Sequence, residues 1–383
     1  VYCLLFAVYR SLHSMRSLTL HRDLLLGLTG FLLLIGLVLL ASASTVAGFQ
    51  RFQDPYFYFK HQLLFGVLPG IVAFLIAKKM GTRMWQLAAP VLYVISLALL
   101  ILVLLPQVHG IGLTKSWIII GSFSFQPSEI AKFSLILMLA WWASRRNLPV
   151  IGDFRGFGEF LMIFLPVAVL LLLQPDVGTL VIMAGIALSV YFLSGGSLGA
   201  IFCLLLVGAG GILAVSIRSP YRLARLLVFM NKDVDPQGVG YHTRQALLAV
   251  GSGGLWGRGL GHSIQKFQYL PEVQSDSLFA IAAEELGFVL TTLLFILLLI
   301  FWRTLYSLSL AVEDRFCRIA IGGVFSWFVI QTFLNIGAML GLLPLTGVPL
   351  PLLSYGGTAL AIELAAIGFV MAVTSKQQSV NSK

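Results

Sequence analysis

Ten stretches of this 383-residue chain are apolar for long enough to cross a lipid bilayer, and that repetition constrains the fold more than any single motif. A spanning helix needs about 20 apolar residues, and in hydrocarbon a helix can satisfy its own backbone polar groups. The runs fall near 24–43, 61–77, 86–105, 127–143, 159–173, 177–193, 198–216, 278–302, 317–340 and 354–374. Composition agrees, with 58% hydrophobic residues and 10% charged, against about 25% charged in soluble domains. The expected fold is all-α: one polytopic membrane domain over residues 1–383, about ten transmembrane helices, and a long segment, 217–277, between helices seven and eight. Cys3, Cys203 and Cys317 lie at unrelated spacings beside apolar runs and read as packing residues. Val1–Tyr9 lacks a preceding basic region and a cleavage site, so it is not read as a signal peptide.

Orientation follows from Lys and Arg, which short loops retain on the cytoplasmic side. With the N-terminus inside, one side collects Arg10, Arg16, Arg22, Lys78, Lys79, Arg83, Arg145, Arg146, Arg155, Arg303, Arg315, Arg318, Lys376 and Lys383. The other short loops hold only Arg51, Lys60 and Lys115. Both termini are therefore expected in the cytoplasm. The 217–277 segment breaks the pattern: it faces outward yet carries Arg218, Arg222, Arg225, Lys232, Arg244, Arg258 and Lys266. Long loops escape the rule, and a basic outer loop suits an anionic partner at the membrane surface or anionic lipid headgroups.

Polar chemistry gathers in a few islands. Glu272 and Asp276 lie four apart before helix eight, where Asp276 reads either as an ordinary N-cap or as a functional carboxylate. Glycines 251, 253, 254, 257, 259 and 261 suit a turn-rich hairpin or a surface against a ligand. Gln126-Pro127-Ser128-Glu129 opens helix four, with Lys132 three residues beyond Glu129 on the same face, as a packing pair or a cavity wall. Further islands are Gln174-Pro175-Asp176, Gln331 with Asn335, and Ser354-Tyr355, with Glu363 deeper in helix ten. On this topology the Gln126, Gln174, Asn335, Ser354 and Asp276 regions converge toward the outer leaflet.

Taken in order, QPSEIAK, QPDVGT, GYHTRQALLAVGSGGLWGRGLG, YLPEVQSD followed by EELG, and LPLTGVPLPLLSYGG resemble the SEDS family of peptidoglycan glycosyltransferases over nearly the whole chain. SIQKFQYLPE and PYR at 220–222 are more similar to the FtsW branch and its sporulation relative than to the RodA branch of elongation. The resemblance implies that lipid II is polymerised on the outer face of the bacterial cytoplasmic membrane during division. The 4-hydroxyl of one lipid-linked disaccharide attacks the anomeric carbon of another, undecaprenyl pyrophosphate leaves, and the configuration inverts. Asp276 occupies the family's catalytic position and would be the general base, an effect worth roughly 10²- to 10⁴-fold. Lys132, Arg222, Arg244 and Lys266 would hold the leaving pyrophosphate, so the second carboxyl of a glycosidase is not required.

The other substrate-binding candidates are Glu129, Glu272, Trp117, Gln126, Ser128, Gln174, Asp176, Asn335, Ser354 and Tyr355. The resemblance further implies Mg²⁺ or Mn²⁺, although no ligand cluster is visible, and as partners the growing glycan strand, a class B penicillin-binding protein transpeptidase and other division proteins. A nucleic acid is not an expected partner. Two departures from the family pattern concern the substrate pocket: Ser277 stands where an aromatic residue usually follows the catalytic aspartate, and Lys115-Ser116-Trp117 moves a basic residue by one position. The rival readings are a lipid II flippase using Glu129 and Lys132, an elongation-type paralogue, and a scaffold for other division proteins.

Overall fold

A chain this apolar buries its few polar residues where helices meet each other and turns its aliphatic side chains outward to lipid, and the computed structural model follows that division. It describes residues 2–105, 116–120, 123–146, 154–217, 220–230, 238 and 240–381. In chain order these form α1 (Tyr2–Ala43), α2 (Thr45–Phe52), α3 (Phe57–Gln62), a π-helical turn over Leu63–Val67, α4 (Leu68–Lys79) and α5 (Thr82–Leu102). The antiparallel hairpin β1 (Ile118–Ile120) and β2 (Phe123–Phe125) follows, then α6 (Pro127–Arg145), α7 (Phe154–Leu173), α8 (Val177–Leu193) and α9 (Leu198–Ile217). The order ends with α10 (Pro220–Met230), α11 (Tyr241–Ser252), α12 (Leu278–Ala311), α13 (Arg315–Met339) and α14 (Gly357–Asn381).

Each apolar run read from the sequence falls on helix, with 24–43 forming the C-terminal part of α1 and 61–77 running from the end of α3 through the π-helical turn into α4. Among the described residues seven helices are long and apolar enough to cross a membrane, Val177–Leu193 and Leu198–Gly211 are shorter apolar helices, and α6 carries the charges that lower its hydropathy. The 217–277 segment, expected as a turn-rich loop, contains two helices, α10 and α11.

The centre is α6, α13 and α14. Buried residues make up 72% of the apolar window of α13 and 83% of that of α14, against 17% for Phe57–Lys79 and 28% for α5, which face lipid. Small residues let helices approach closely: a Cβ on Gly66 would lie 3.3 Å from the Gly357 Cα, and one on Gly368 would lie 2.5 Å from the Phe74 carbonyl oxygen. Both bring α14 against the turn into α4 and against α4 itself.

Within this centre lie two charges. Lys132 Nζ is 2.8 Å from Glu129 Oε2, with the two side chains 1% and 3% exposed. The ammonium also donates to Gln331 Oε1 at 2.8 Å and lies 5.1 Å from the Trp327 ring centre. Gln331 in turn accepts from Trp327 Nε1 and donates to the Pro349 carbonyl. A buried ion pair is favourable only when its remaining hydrogen-bonding capacity is filled, and here α13 supplies partners to the ammonium, while Glu129 Oε2 has Lys132 but no further hydrogen bond among the described residues.

The second device is a break in α12. Gly287 has φ 73° and ψ −179°, a conformation open essentially to glycine alone. Inside a membrane-spanning helix the polar groups released by such a break need protein partners, and the glycine-rich segment after α11 provides them. Phe288 and Val289 N–H donate to the Gly254 and Leu255 carbonyls, while Arg258 and Gly259 N–H donate to the carbonyls of Glu284 and Glu285, all at 2.9–3.1 Å. The two glutamates complete the lock. Glu284 accepts from Ser263 Oγ and from the Ile264 and Gln265 amides. Glu285 accepts from Ser42 Oγ at 2.6 Å and from Lys266 Nζ at 3.3 Å. Gly253 and Gly257 therefore serve a backbone-to-backbone approach within the fold, since a Cβ on either would lie 2.2 Å from the carbonyl oxygen of Ala283 or of Glu285.

Two outcomes follow for detergent-solubilised protein. Gly287→Ala puts a Cβ 2.1 Å from the Gly257 nitrogen and should abolish the monodisperse folded species, whereas Gly251→Ala, with nothing within 4 Å of its Cβ, should melt at or slightly above the parent temperature. Lys132→Met should cost about 3–5 kcal/mol by leaving Glu129 buried and unpaired, and Glu129→Leu with Lys132→Met should recover most of that loss in thermal unfolding.

Candidate functional site

A cavity of about 390 Å³ opens where the N-termini of α6, α8 and α12 meet the α10 and α11 segment and the turn before α14. Its wall includes Trp117 just ahead of β1, Gln126, Glu129 and Lys132 at the start of α6, and Asp176 and Thr179 at the start of α8. Arg225 of α10, His242 of α11, Glu272, Ser275 and Asp276 ahead of α12, and Tyr355 and Gly356 ahead of α14 complete its polar lining. Helix N-termini carry unpaired N–H groups and partial positive charge, so their convergence beside Lys132 and Arg225 favours an anion.

Asp276 is the distinctive group. Burial, followed by the nearby Glu272 carboxylate, pushes its pKa up to about 7. Its Oδ1 has no hydrogen-bond partner among the described residues, the Asp276 and Ser277 amides lower its pKa by bonding to the carboxylate, and it is not the N-cap of α12, since that position is Ser277. The ordinary capping role is thereby removed and the carboxylate faces the cavity. Its backbone is held tightly: Asn335 Nδ2 of α13 donates to the Asp276 carbonyl at 2.8 Å and to the Val348 carbonyl at 2.7 Å. Tyr355 N–H donates to the Gln274 carbonyl at 2.9 Å, clamping the same turn from the α14 side.

Ser277, one of the two departures from the family pattern, is fully buried and belongs to this clamp. Its Oγ donates to the Pro271 carbonyl at 2.7 Å and lies 2.7 Å from His242 Nε2. Since the hydroxyl proton is given to Pro271, Nε2 is the donor in the second bond. Burial, assisted by the charge of Arg225, pushes His242 down to about 4, so the imidazole is neutral near pH 7. Asp176 caps α8, its oxygens accepting from Thr179 N at 3.1 Å and Thr179 Oγ1 at 2.8 Å. Burial raises its pKa and those two bonds pull it back.

Of the residues proposed from sequence, Asp276, Lys132, Glu129, Glu272, Trp117, Gln126, Asp176 and Tyr355 share this one cavity. Others are corrected to supporting roles. Lys266 is buried against Glu285, with its ammonium donating to the Gly261 and Ser42 carbonyls, so it braces the α12 lock and does not line the Asp276 cavity. Arg244 is exposed on α11 and does not line the cavity. Gln174 donates to the Leu100 carbonyl at 2.8 Å and ties the turn after α7 to α5. Asn335 acts through the backbone of Asp276. Ser354 Oγ accepts from the Leu350 amide, Glu363 accepts from the Leu352 amide, and Ser128 is buried in the first turn of α6. Arg222 sits on α10, and its side chain lies outside the described residues, as do Lys115, Arg218 and Lys232.

Sequence reasoning missed Arg225 and His242 as cavity residues. Arg225 follows Arg222 by three on an amphipathic helix, a spacing that becomes informative once the segment is read as helical. It donates from Nη1 to the Leu345 carbonyl at 3.1 Å. No spacing marks His242. Among the described residues no group of three or more His, Cys, Asp and Glu is placed to hold a metal by itself. Glu272 beside the cavity suits only a hard cation of the Mg²⁺ type, which takes one or two carboxylates and completes its shell with substrate phosphates and water.

The model of the cell cycle protein family FtsW/RodA/SpoVE matches residues 22–379. The chain is 39% identical over 358 residues to stage V sporulation protein E of Bacillus subtilis (strain 168), covering 92% of this chain and 96% of that protein. It is 36% identical over 362 residues to the probable peptidoglycan glycosyltransferase FtsW of Escherichia coli O6:H1, covering 93% and 86%. Among solved structures, a chain from a peptidoglycan synthase complex described as coordinating polymerization and crosslinking superposes with a TM-score of 0.75 at 28% identity, covering 92% of this chain and 97% of that one. Fold, span pattern and sequence agree: this multi-pass membrane protein belongs to the FtsW/RodA/SpoVE family.

Proposed function

We propose that the chain is an inverting peptidoglycan glycosyltransferase that polymerises lipid II during cell division, with Asp276 as general base. The observation that carries this reading is the Asp276 carboxylate: buried, pushed up to about 7, and with an oxygen lacking any partner among the described residues, at a cavity that also presents Arg225 and Lys132 beside Glu129, Asp176 and Glu272. In the transfer, Asp276 takes the proton of the acceptor 4-hydroxyl as its oxygen bonds to the donor's anomeric carbon. The bond from that carbon to the pyrophosphate breaks, and undecaprenyl pyrophosphate departs with the electron pair. Arg225 and the N-termini of α6, α8 and α12 stabilise the charge that develops there. Lys132 contributes less, because Glu129 neutralises it at 2.8 Å. Mg²⁺ or Mn²⁺ held by Glu272 and the substrate phosphates would neutralise the leaving group further.

The same reading puts the cavity on the outer face of the cytoplasmic membrane with both termini inside, in keeping with the distribution of Lys and Arg. A class B transpeptidase is the proposed partner, in contact with the outer ends of α12 and α13 and the outer segment, alongside other division proteins. A cysteine introduced at position 238 should react with a membrane-impermeant thiol reagent from the periplasmic side, and labelling from the cytoplasm alone would reverse the orientation.

The principal test is glycan polymerisation from lipid II by the purified chain with its transpeptidase. Asp276→Asn should lower the rate by roughly 10²- to 10⁴-fold, and full activity in that variant would remove the base assignment. Labelled lipid II crossing vesicle leaflets without polymer formation would favour a flippase instead. A base with a pKa raised to about 7 must lose its proton to act, so the rate should rise through neutrality, level off above it, and fall roughly tenfold per pH unit below it. A rate that stays flat down to about pH 5 would indicate a carboxylate at its ordinary value.

A further inference from the structure

A second cavity, of about 610 Å³, lies on the far side of Glu272 between α2, the start of α3 and the 266–274 segment. Its polar lining is Gln50, Arg51, Tyr58, Lys266, Gln268, Glu272 and Gln274, with the Lys266 ammonium already engaged by Glu285 and by the Gly261 and Ser42 carbonyls. Glu272 faces both cavities. Its φ of 50° is a left-handed conformation uncommon for a side-chain-bearing residue. Its Oε2 accepts from Gln274 Nε2 at 2.9 Å and Ser275 Oγ at 3.2 Å, which fixes the carboxylate as a shared wall. A second bridge is aromatic: Tyr58 of this cavity meets Tyr355 of the Asp276 cavity edge-on, with ring centres 5.1 Å apart.

The chemistry of this lining is specific. Three amides, a carboxylate and a phenol offer paired donors and acceptors, the set that hydroxyl and N-acetyl groups require. Gln268 donates to Gln50, linking the outer segment to α2. Tyr58 contributes an aromatic ring to this lining, suited to the apolar face of a sugar ring. Arg51 adds a cation for which the described residues supply no acidic ion-pair partner.

We propose that this cavity is a saccharide subsite holding the sugars of the glycan strand next to the reacting one, across Glu272 from Asp276, with Arg51 facing an anionic group on them. The proposal rests on the glycosyltransferase reading, because such a reaction must hold two saccharides at once. It goes beyond that reading in assigning the second cavity and in setting strand length there: a strand held one sugar back remains bound between additions.

The test uses full-length Asp276→Asn protein in detergent and, as probe, a lipid-free tetrasaccharide of alternating N-acetylglucosamine and N-acetylmuramic acid, with binding followed by saturation-transfer NMR. The background should bind the probe, and adding Gln50→Ala with Gln268→Ala, or Arg51→Ala, should weaken binding at least fivefold while the melting temperature stays within a few degrees. In protein carrying the native Asp276, the same glutamine variants should make shorter glycan strands. Unchanged affinity and unchanged strand length would overturn the subsite. Binding of inorganic pyrophosphate that depends on Arg51, with no saccharide binding, would overturn it in favour of a phosphate site. Because binding is read without turnover, a failure of the base assignment, seen as an active Asp276→Asn enzyme, remains distinguishable from a failure of the subsite.

Discussion

The break in α12 and its pairing with the glycine-rich segment is the constraint from which the rest of the site follows. A helix interrupted inside a membrane exposes N–H and C=O groups that lipid cannot satisfy. Here the segment after α11 satisfies them from its own backbone, and only glycines permit the approach: a Cβ on Gly257 would lie 2.2 Å from the Glu285 carbonyl oxygen. Once the segment is fastened there, Glu284 and Glu285 draw in Ser263, Lys266 and Ser42. The short stretch from 267 to 277 is then held at both ends, and Asp276 has little freedom left.

A second consequence is electrostatic. Four helices begin at or beside the cavity, and the residues at those beginnings, Gln126, Asp176, Asp276 and Gly356, all line it. The positive ends of the helices add to Arg225, while the nearest charge to Lys132 is its own partner Glu129. The cavity therefore attracts an anion through dipoles and one arginine, yet keeps one carboxylate, Asp276, buried enough to gain a proton near neutrality. These two properties conflict in bulk water and coexist here because the site is enclosed and its backbone is fixed by Asn335 and Tyr355.

Much of this was legible in the sequence, for identifiable reasons. Helix positions follow from runs of apolar residues, since hydrocarbon forces backbone pairing within each segment. Glu129 and Lys132 declared their pairing through a spacing of three. The polar islands at 126, 176, 272–276 and 355 declared a shared site because each is the expensive exception in an apolar chain. Lys266 misled because basicity in an outer segment does not reveal whether the ammonium meets a substrate or Glu285, nineteen residues on. Arg225 was passed over because α10 was read as loop, and His242 because nothing in its neighbours distinguishes it.

What the sequence determined by itself is the solvent, the number of long apolar segments, their charge asymmetry and the family text that marks Asp276. Those properties reside in composition and local order, which hold before any helix meets another. Tertiary structure alone decided that Gly253 and Gly257 serve α12, that Ser277 binds His242 and Pro271, and that Lys266 pairs with Glu285. It also decided that Glu272 separates two cavities. Each of these depends on which distant segment supplies the partner for a buried polar group, and a linear pattern carries no record of that choice.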